Sequence, residues 1–237
     1  MSVYAIADLH LSMAPGVNKP MDIYGARWYN HAERLEKNWR DTVKEEDTVI
    51  IAGDISWGLK LKEARYDLDW IDSLPGRKVV FKGNHDLWWN GINKLNSLYE
   101  DMIFMQNDFY LGEGLYICGT RGWLTPDNDD YESGDEKVYK REVLRLKASL
   151  DKAKAHMAAL GEAGEILCVL HYPPVSKPAA FSAFQQVFED YGIKNVIYGH
   201  IHGEDGFRNT IMGRHHGVEY RLISLDYLNC KPLCVKK

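Results

Sequence analysis

The sequence predicts an α/β fold built on a mixed sheet or sheets. Three observations carry that prediction: short apolar, β-branched runs recur along the chain, helical stretches separate them through the first hundred residues, and the later runs are joined by shorter connections. Strands alternating with helices argue for parallel βαβ units, and the shorter connections argue for antiparallel additions.

Strands are expected at 3–7, 48–52, 78–81, 115–118, 166–170, 195–198 and 218–224. The first three and the fifth are apolar without alternation, as strands buried on both faces are. Helices fit 30–43, 60–73, 90–99, 136–160 and 181–191. The longest carries Tyr139, Val143, Leu146, Leu150, Ala153, Met157 and Leu160 at alternating spacings of four and three, a core-facing stripe, and Ser133 with Glu136 makes a capping box before it. The irregular stretch 119–135 contains an acidic run from Asp127 to Glu132. It lacks the acid or amide at position five and the glycine at position six of a calcium loop, so a solvated loop or a lid is expected.

With 237 residues, 45% hydrophobic and 27% charged, the chain can bury a core without staples, which excludes disordered and collagen-like classes. It reads as a single domain over 1–237, with no linker or repeat. A net charge of −5 without a basic run does not favour long nucleic acid as a partner. No leader and no apolar run long enough to span a membrane is evident, so a cytoplasmic location away from membranes is expected. Four cysteines make no disulfide framework, and the Cys230–Cys234 pair lacks partners for a zinc site. Oligomeric state leaves no mark in the sequence.

Five of the expected strands run into side chains that bind metals. They are Asp8-Leu9-His10, Gly53-Asp54, Gly83-Asn84-His85-Asp86, His171, and Gly199-His200-Ile201-His202. In open α/β sheets ligands gather beyond the carboxyl ends of the strands, so residues far apart in sequence can converge there. A Gly-His-x-His match alone is expected about 0.03 times in a chain of this composition. Imidazole with carboxylate and amide oxygen suits manganese, iron, zinc or nickel, and the absence of thiolate argues against a soft structural site. Two ions with open positions need eight ligand places, and sharing Asp54 supplies them from seven residues. One metal then takes Asp8, His10, Asp54 and His202, and the other Asp54, Asn84, His171 and His200. Two dications, two carboxylates and a bridging hydroxide would leave a charge near +1, which attracts a phosphoryl group.

The five elements resemble the signature of the calcineurin-like metallophosphoesterase superfamily, in its order, over about residues 3–225, and the length is similar to that of its small stand-alone bacterial phosphohydrolases. The resemblance implies a four-layer sandwich of two mixed β-sheets flanked by α-helices. It also implies that His85 meets the substrate and assists the leaving oxygen, with Asp86 orienting it. The reaction would be in-line attack of a metal-bridging hydroxide on a phosphomonoester or phosphodiester. The substrate would be a small phosphorylated compound, a nucleotide among the candidates. The alternative is an inactive scaffold or protein-interaction module on the same fold, which usually lacks a ligand or the leaving-group histidine; here all are in place.

Trp28, Trp57, Trp88, Trp89 and Trp123 lie near these motifs, either as an aromatic wall for a substrate ring or as loop anchors. Arg27 and Arg121 are candidates for a second phosphate contact. His31, His156, His215 and His216 are read as structural or solvated, with His31 near the cleft. Tyr172-Pro173-Pro174 reads as a rigid turn fixing His171.

Overall fold

The computed structural model describes residues 1–237. The chain divides into two compact units, residues 1–104 with 223–237, and residues 105–222.

The first unit holds a five-stranded mixed sheet in the order β11-β1-β2-β3-β4. Its strands are β1 (Val3–Ile6), β2 (Thr48–Ala52), β3 (Arg77–Phe81), β4 (Met102–Phe104) and β11 (Leu233–Lys236). β1 to β4 are parallel and β11 is antiparallel. The sequence Thr48-Val49-Ile50-Ile51-Ala52 is buried throughout, as expected of a central parallel strand. Tyr4 and Ile6, Val49 and Ile51, and Val80 form one face. It packs under α1 (His31–Thr42), through Leu35 and Trp39, and α2 (Leu61–Asp72), through Ala64, Leu68 and Ile71. Glu63 caps α2 by accepting the N–H groups of Leu59 and Lys60 at 2.9 and 3.1 Å.

The second unit holds a six-stranded mixed sheet in the order β5-β6-β7-β8-β10-β9. The strands are β5 (Phe109–Gly112), β6 (Leu115–Thr120), β7 (Glu165–Leu170), β8 (Asn195–Tyr198), β9 (Gly213–His215) and β10 (Val218–Leu222). One face, including Cys118, Cys168, Leu170, Val196 and Tyr220, packs under α4 (Asp135–Leu160) and α5 (Ala183–Tyr191), and Phe207 of α6 (Gly203–Asn209) joins that core. Ser182 and Gln185 form a reciprocal capping box on α5, and Gly192 at φ 69° ends it. No helix of either unit is long and apolar enough to cross a membrane.

Both sheets are mixed and flanked by helices, as expected. Several finer expectations need correction. The helix expected at 90–99 is one turn, α3 (Ile92–Leu95), because Asn96 turns its amide onto Phe104, donating to its carbonyl and accepting its N–H. The Ser133–Glu136 box does not form. The long helix starts at Asp135, whose carboxylate accepts Trp123 Nε1–H at 2.8 Å and the Glu132 N–H at 3.0 Å. Its inward stripe ends at Met157, leaving Leu160 54% exposed, and Gly161 at φ 68° stops the helix. The later strands are less antiparallel than expected: β6, β7, β8 and β10 are all parallel, and only β5 and β9 run against them. The acidic stretch is tied down by Asp127, which accepts the N–H groups of Ser176 and Lys177 at 2.9 and 2.7 Å.

Candidate functional site

In the first unit the sheet delivers three loops to one strand end. After β1 the chain is zipped onto the loop after β2. Asp8 N–H bonds the Gly53 carbonyl at 2.9 Å, His10 N–H the Asp54 carbonyl at 3.0 Å, and Leu11 N–H the Ile55 carbonyl at 2.9 Å. This zipper runs through positive-φ backbone on both loops: Asp8 is at φ 61°, His10 at 46°, Gly53 at 91° and Asp54 at 53°. Non-glycine residues adopt this region at a cost, and they keep it where the surroundings over-determine it, as at functional sites.

The loop after β3 then docks on Asp54. Gly83 passes so close that a Cβ there would lie 2.1 Å from Asp54 Oδ1 and 2.2 Å from its nitrogen, so only glycine fits. Fully buried Asp86 fastens the two loops together. Its Oδ2 accepts the N–H groups of Gly83 at 2.7 Å and Asp54 at 2.9 Å, and its Oδ1 those of Ile55 at 2.9 Å and Trp88 Nε1 at 3.1 Å. These contacts place Asp86 as the hub of the Asp54 loop.

Asp54 Oδ1 accepts the His85 N–H at 2.8 Å. Its Oδ2 faces His10 Nε2 at 3.8 Å and His85 Nε2 at 3.9 Å. The first spacing is about twice a metal–ligand bond of roughly 2 Å, so this oxygen and this imidazole fit two ligands of one ion. His10 is held against Trp57, its ring stacked at 4.9 Å, and edge-on to Trp28 at 5.7 Å. His85 sits 4.5 Å from the same Trp57 ring, and its side chain is 44% exposed, open enough to reach a substrate. Asn84, between Gly83 and His85 in sequence, is half-buried.

In the second unit His171 is fully buried at the end of β7, where its N–H and that of Tyr172 both reach the Arg121 carbonyl, at 3.0 and 2.9 Å. Gly199 N–H bonds the His171 carbonyl at 3.0 Å, which binds the ends of β7 and β8. His200, at φ 71°, lies 5.1 Å from His171 ring to ring and is covered by Tyr172 at 3.9 Å. His202 is the half-buried residue preceding α6. Ser176, beyond the two prolines, is hydrogen-bonded to Thr125 and Asn128, so the segment after His171 is braced along its length.

The two units thus present oxygen and imidazole donors at strand ends: Asp8, His10, Asp54 and Asn84 in the first, His171, His200 and His202 in the second. Such a set fits borderline divalent transition metals. The tryptophans sort by position. Trp28, Trp88 and Trp89 are buried loop anchors, while Trp57 backs both His10 and His85. Arg121 is turned to the buried Glu142 at 3.6 Å and over Trp123 at 4.3 Å, and Arg27 donates to the Asp226 carbonyl at 3.1 Å. His31 stands behind Trp28, and burial pulls its imidazole below the usual value. Sequence reasoning missed the stacking role of Trp57 and the clamp made by Asp86. The acidic residue three places after Gly83 was the available signal for the clamp.

A family model for calcineurin-like phosphoesterases matches residues 1–204. The chain belongs to that family. Among its relatives, gene 66 protein of Mycobacterium phage L5 is 46% identical over 56 residues, 24% of this chain and 27% of the relative. Gene 66 protein of Mycobacterium phage D29 is 38% identical over 86 residues, 36% of this chain and 40% of the relative. Each match therefore spans less than half of the relative's length. Among solved structures, a protein of unknown function from Aquifex aeolicus superposes with a TM-score of 0.52 at 15% identity, over 98% of this chain and 94% of the other. Phosphopantetheinyl hydrolase from Mycobacterium tuberculosis superposes with a TM-score of 0.50 at 16% identity, over 94% and 88%. At these identities the likeness is one of fold.

Proposed function

We propose that the protein is a dinuclear metal-dependent phosphoesterase, acting on a phosphomonoester or phosphodiester of a small molecule, and that residues 1–237 work as one catalytic domain. Asp8, His10, Asp54 and His202 would hold one divalent transition-metal ion, and Asp54, Asn84, His171 and His200 the other. The observation that carries this reading is the position of Asp54. One carboxylate oxygen is pinned by the His85 N–H, while the other faces both a ligand imidazole, His10, and the leaving-group imidazole, His85.

When bound, the ions would polarise the phosphoryl oxygens and acidify a water towards neutrality, providing the nucleophile for in-line displacement. Asp54 sets the spacing of the donors around it. His85, whose Nε2 lies 3.9 Å from Asp54 Oδ2, donates a proton from that nitrogen to the departing oxygen. Trp57 fixes the planes of both rings, so the proton donor is oriented before substrate arrives. Asp86 is a positioning residue that acts through the Asp54 loop.

The experiment is hydrolysis of para-nitrophenyl phosphate and of its bis-ester by manganese-loaded protein. Cleavage of either supports the reading, and the ratio of the two rates assigns mono- or diesterase. Metal-loaded protein that cleaves neither these nor a panel of nucleotides and sugar phosphates would count against it and favour a scaffold.

A further inference from the structure

The first unit carries a cavity of about 640 Å³ lined by His85 and Trp57 and otherwise by residues that the mechanism does not use. That volume is in the range of pockets that take a drug-sized molecule. Its walls are unlike those of a site that accepts phosphate alone. Leu59 and Leu87 stand at it with 66% and 65% of their surfaces exposed, and Pro15, Val17 and the Trp57 ring continue the apolar lining. Large side chains left this open at a cavity gain from being covered, at about 25 cal/mol per Å². One cation enters the lining: Lys19, on the 15–19 segment of the wall, holds its ammonium 5.6 Å from the centre of the Trp57 ring. The one carboxylate of the lining, Glu63, is turned to the α2 cap. The cavity is therefore largely apolar, with the Lys19 ammonium and the His85 imidazole both in its lining and the Glu63 carboxylate engaged by backbone N–H groups.

We infer that this cavity receives the leaving alcohol of the substrate, and that the preferred alcohol is a bulky, largely apolar or aromatic group carrying a second anionic group that pairs with Lys19. The inference rests on the proposed phosphoesterase reading and deepens it. It makes Leu59, Leu87 and Lys19 specificity-determining residues, because the leaving oxygen must lie at His85 and whatever is attached to it must project into the space that His85 borders.

The test compares kcat/KM for phenyl phosphate, naphthyl phosphate and sulfonaphthyl phosphate on manganese-loaded protein, in the native chain and in Leu87→Asn and Lys19→Ala. Both altered side chains are exposed, so the fold should tolerate the changes. The native protein is expected to prefer naphthyl over phenyl and sulfonaphthyl over naphthyl. Leu87→Asn should reduce the first preference about fivefold, as loss of roughly 40 Å² of apolar contact implies. Lys19→Ala should abolish the second while leaving the first. If both ratios are the same in all three proteins, the inference is wrong. If none of these monoesters is cleaved, the phosphoesterase reading is decided separately by the para-nitrophenyl bis-ester and the nucleotide panel, and calorimetric titration with hydroxynaphthalene sulfonate decides the pocket. Binding weakened by each substitution upholds it, and no binding, or binding indifferent to both, overturns it.

Discussion

Replacing Asp86 by Asn tests whether the site is built as described. The carboxylate is fully buried and accepts two N–H groups on Oδ2 and at least two on Oδ1. An amide offers one oxygen, so whichever way it turns, its NH₂ faces at least two buried donors that it cannot satisfy. Hydrogen bonds to a charged acceptor contribute about 1.5–3 kcal/mol each, so losing two should cost about 3–6 kcal/mol. That is a large part of the roughly 5–15 kcal/mol that holds a typical domain folded. The assay is urea unfolding of metal-free protein, which keeps metal binding out of the comparison. The same loops carry Asp54, so metal content after reloading should also fall. A cost below about 1 kcal/mol with full metal retention would refute the clamp, since an unsatisfied buried donor alone costs at least that much.

Further outcomes follow from the same geometry. Gly83→Ala drives a Cβ into Asp54, and should destabilise by at least the roughly 1–3 kcal/mol of an overpacked core while lowering metal content, checked by melting and elemental analysis. His85→Ala should lower kcat by about 10²–10⁴ with metal content unchanged, measured on para-nitrophenyl esters; an unchanged kcat would remove His85 from the chemistry. Burial lifts the Cys230 thiol from 9.0 to about 11, so between those values the folded chain keeps a proton that the unfolded chain releases, and this contribution to stability is lost as pH rises through the window. The melting temperature of Cys230→Ala should accordingly fall less steeply from pH 9 to about 11 than that of the native protein.

The parts of this molecule legible in the sequence are those where one signal decides the outcome. Thr48 to Ala52 could only be a buried strand, and the five strand ends announced their donors by residue type and order. What escaped were elements whose identity depends on neighbours. β4, β5, β9 and β11 are the four sheet edges, three or four residues long, and they are strands because a partner strand is beside them. The 90–99 helix stops early because Asn96 prefers the Phe104 backbone, a contact no helical periodicity reveals. In the candidate site, Asp8, His10, Asp54 and His200 could be picked out, but not their left-handed backbone, since nothing local demands it. Trp57 could be noticed as one tryptophan among several, while its place between His10 and His85 needed the folded loops.

The most direct test of the central claim is elemental analysis of metal content per chain, on protein purified without chelator, for the native sequence beside Asp54→Ala. The account predicts near two transition-metal ions in the native protein and loss of both when the shared carboxylate is removed. Native protein without metal, or a variant that keeps both ions, would contradict it.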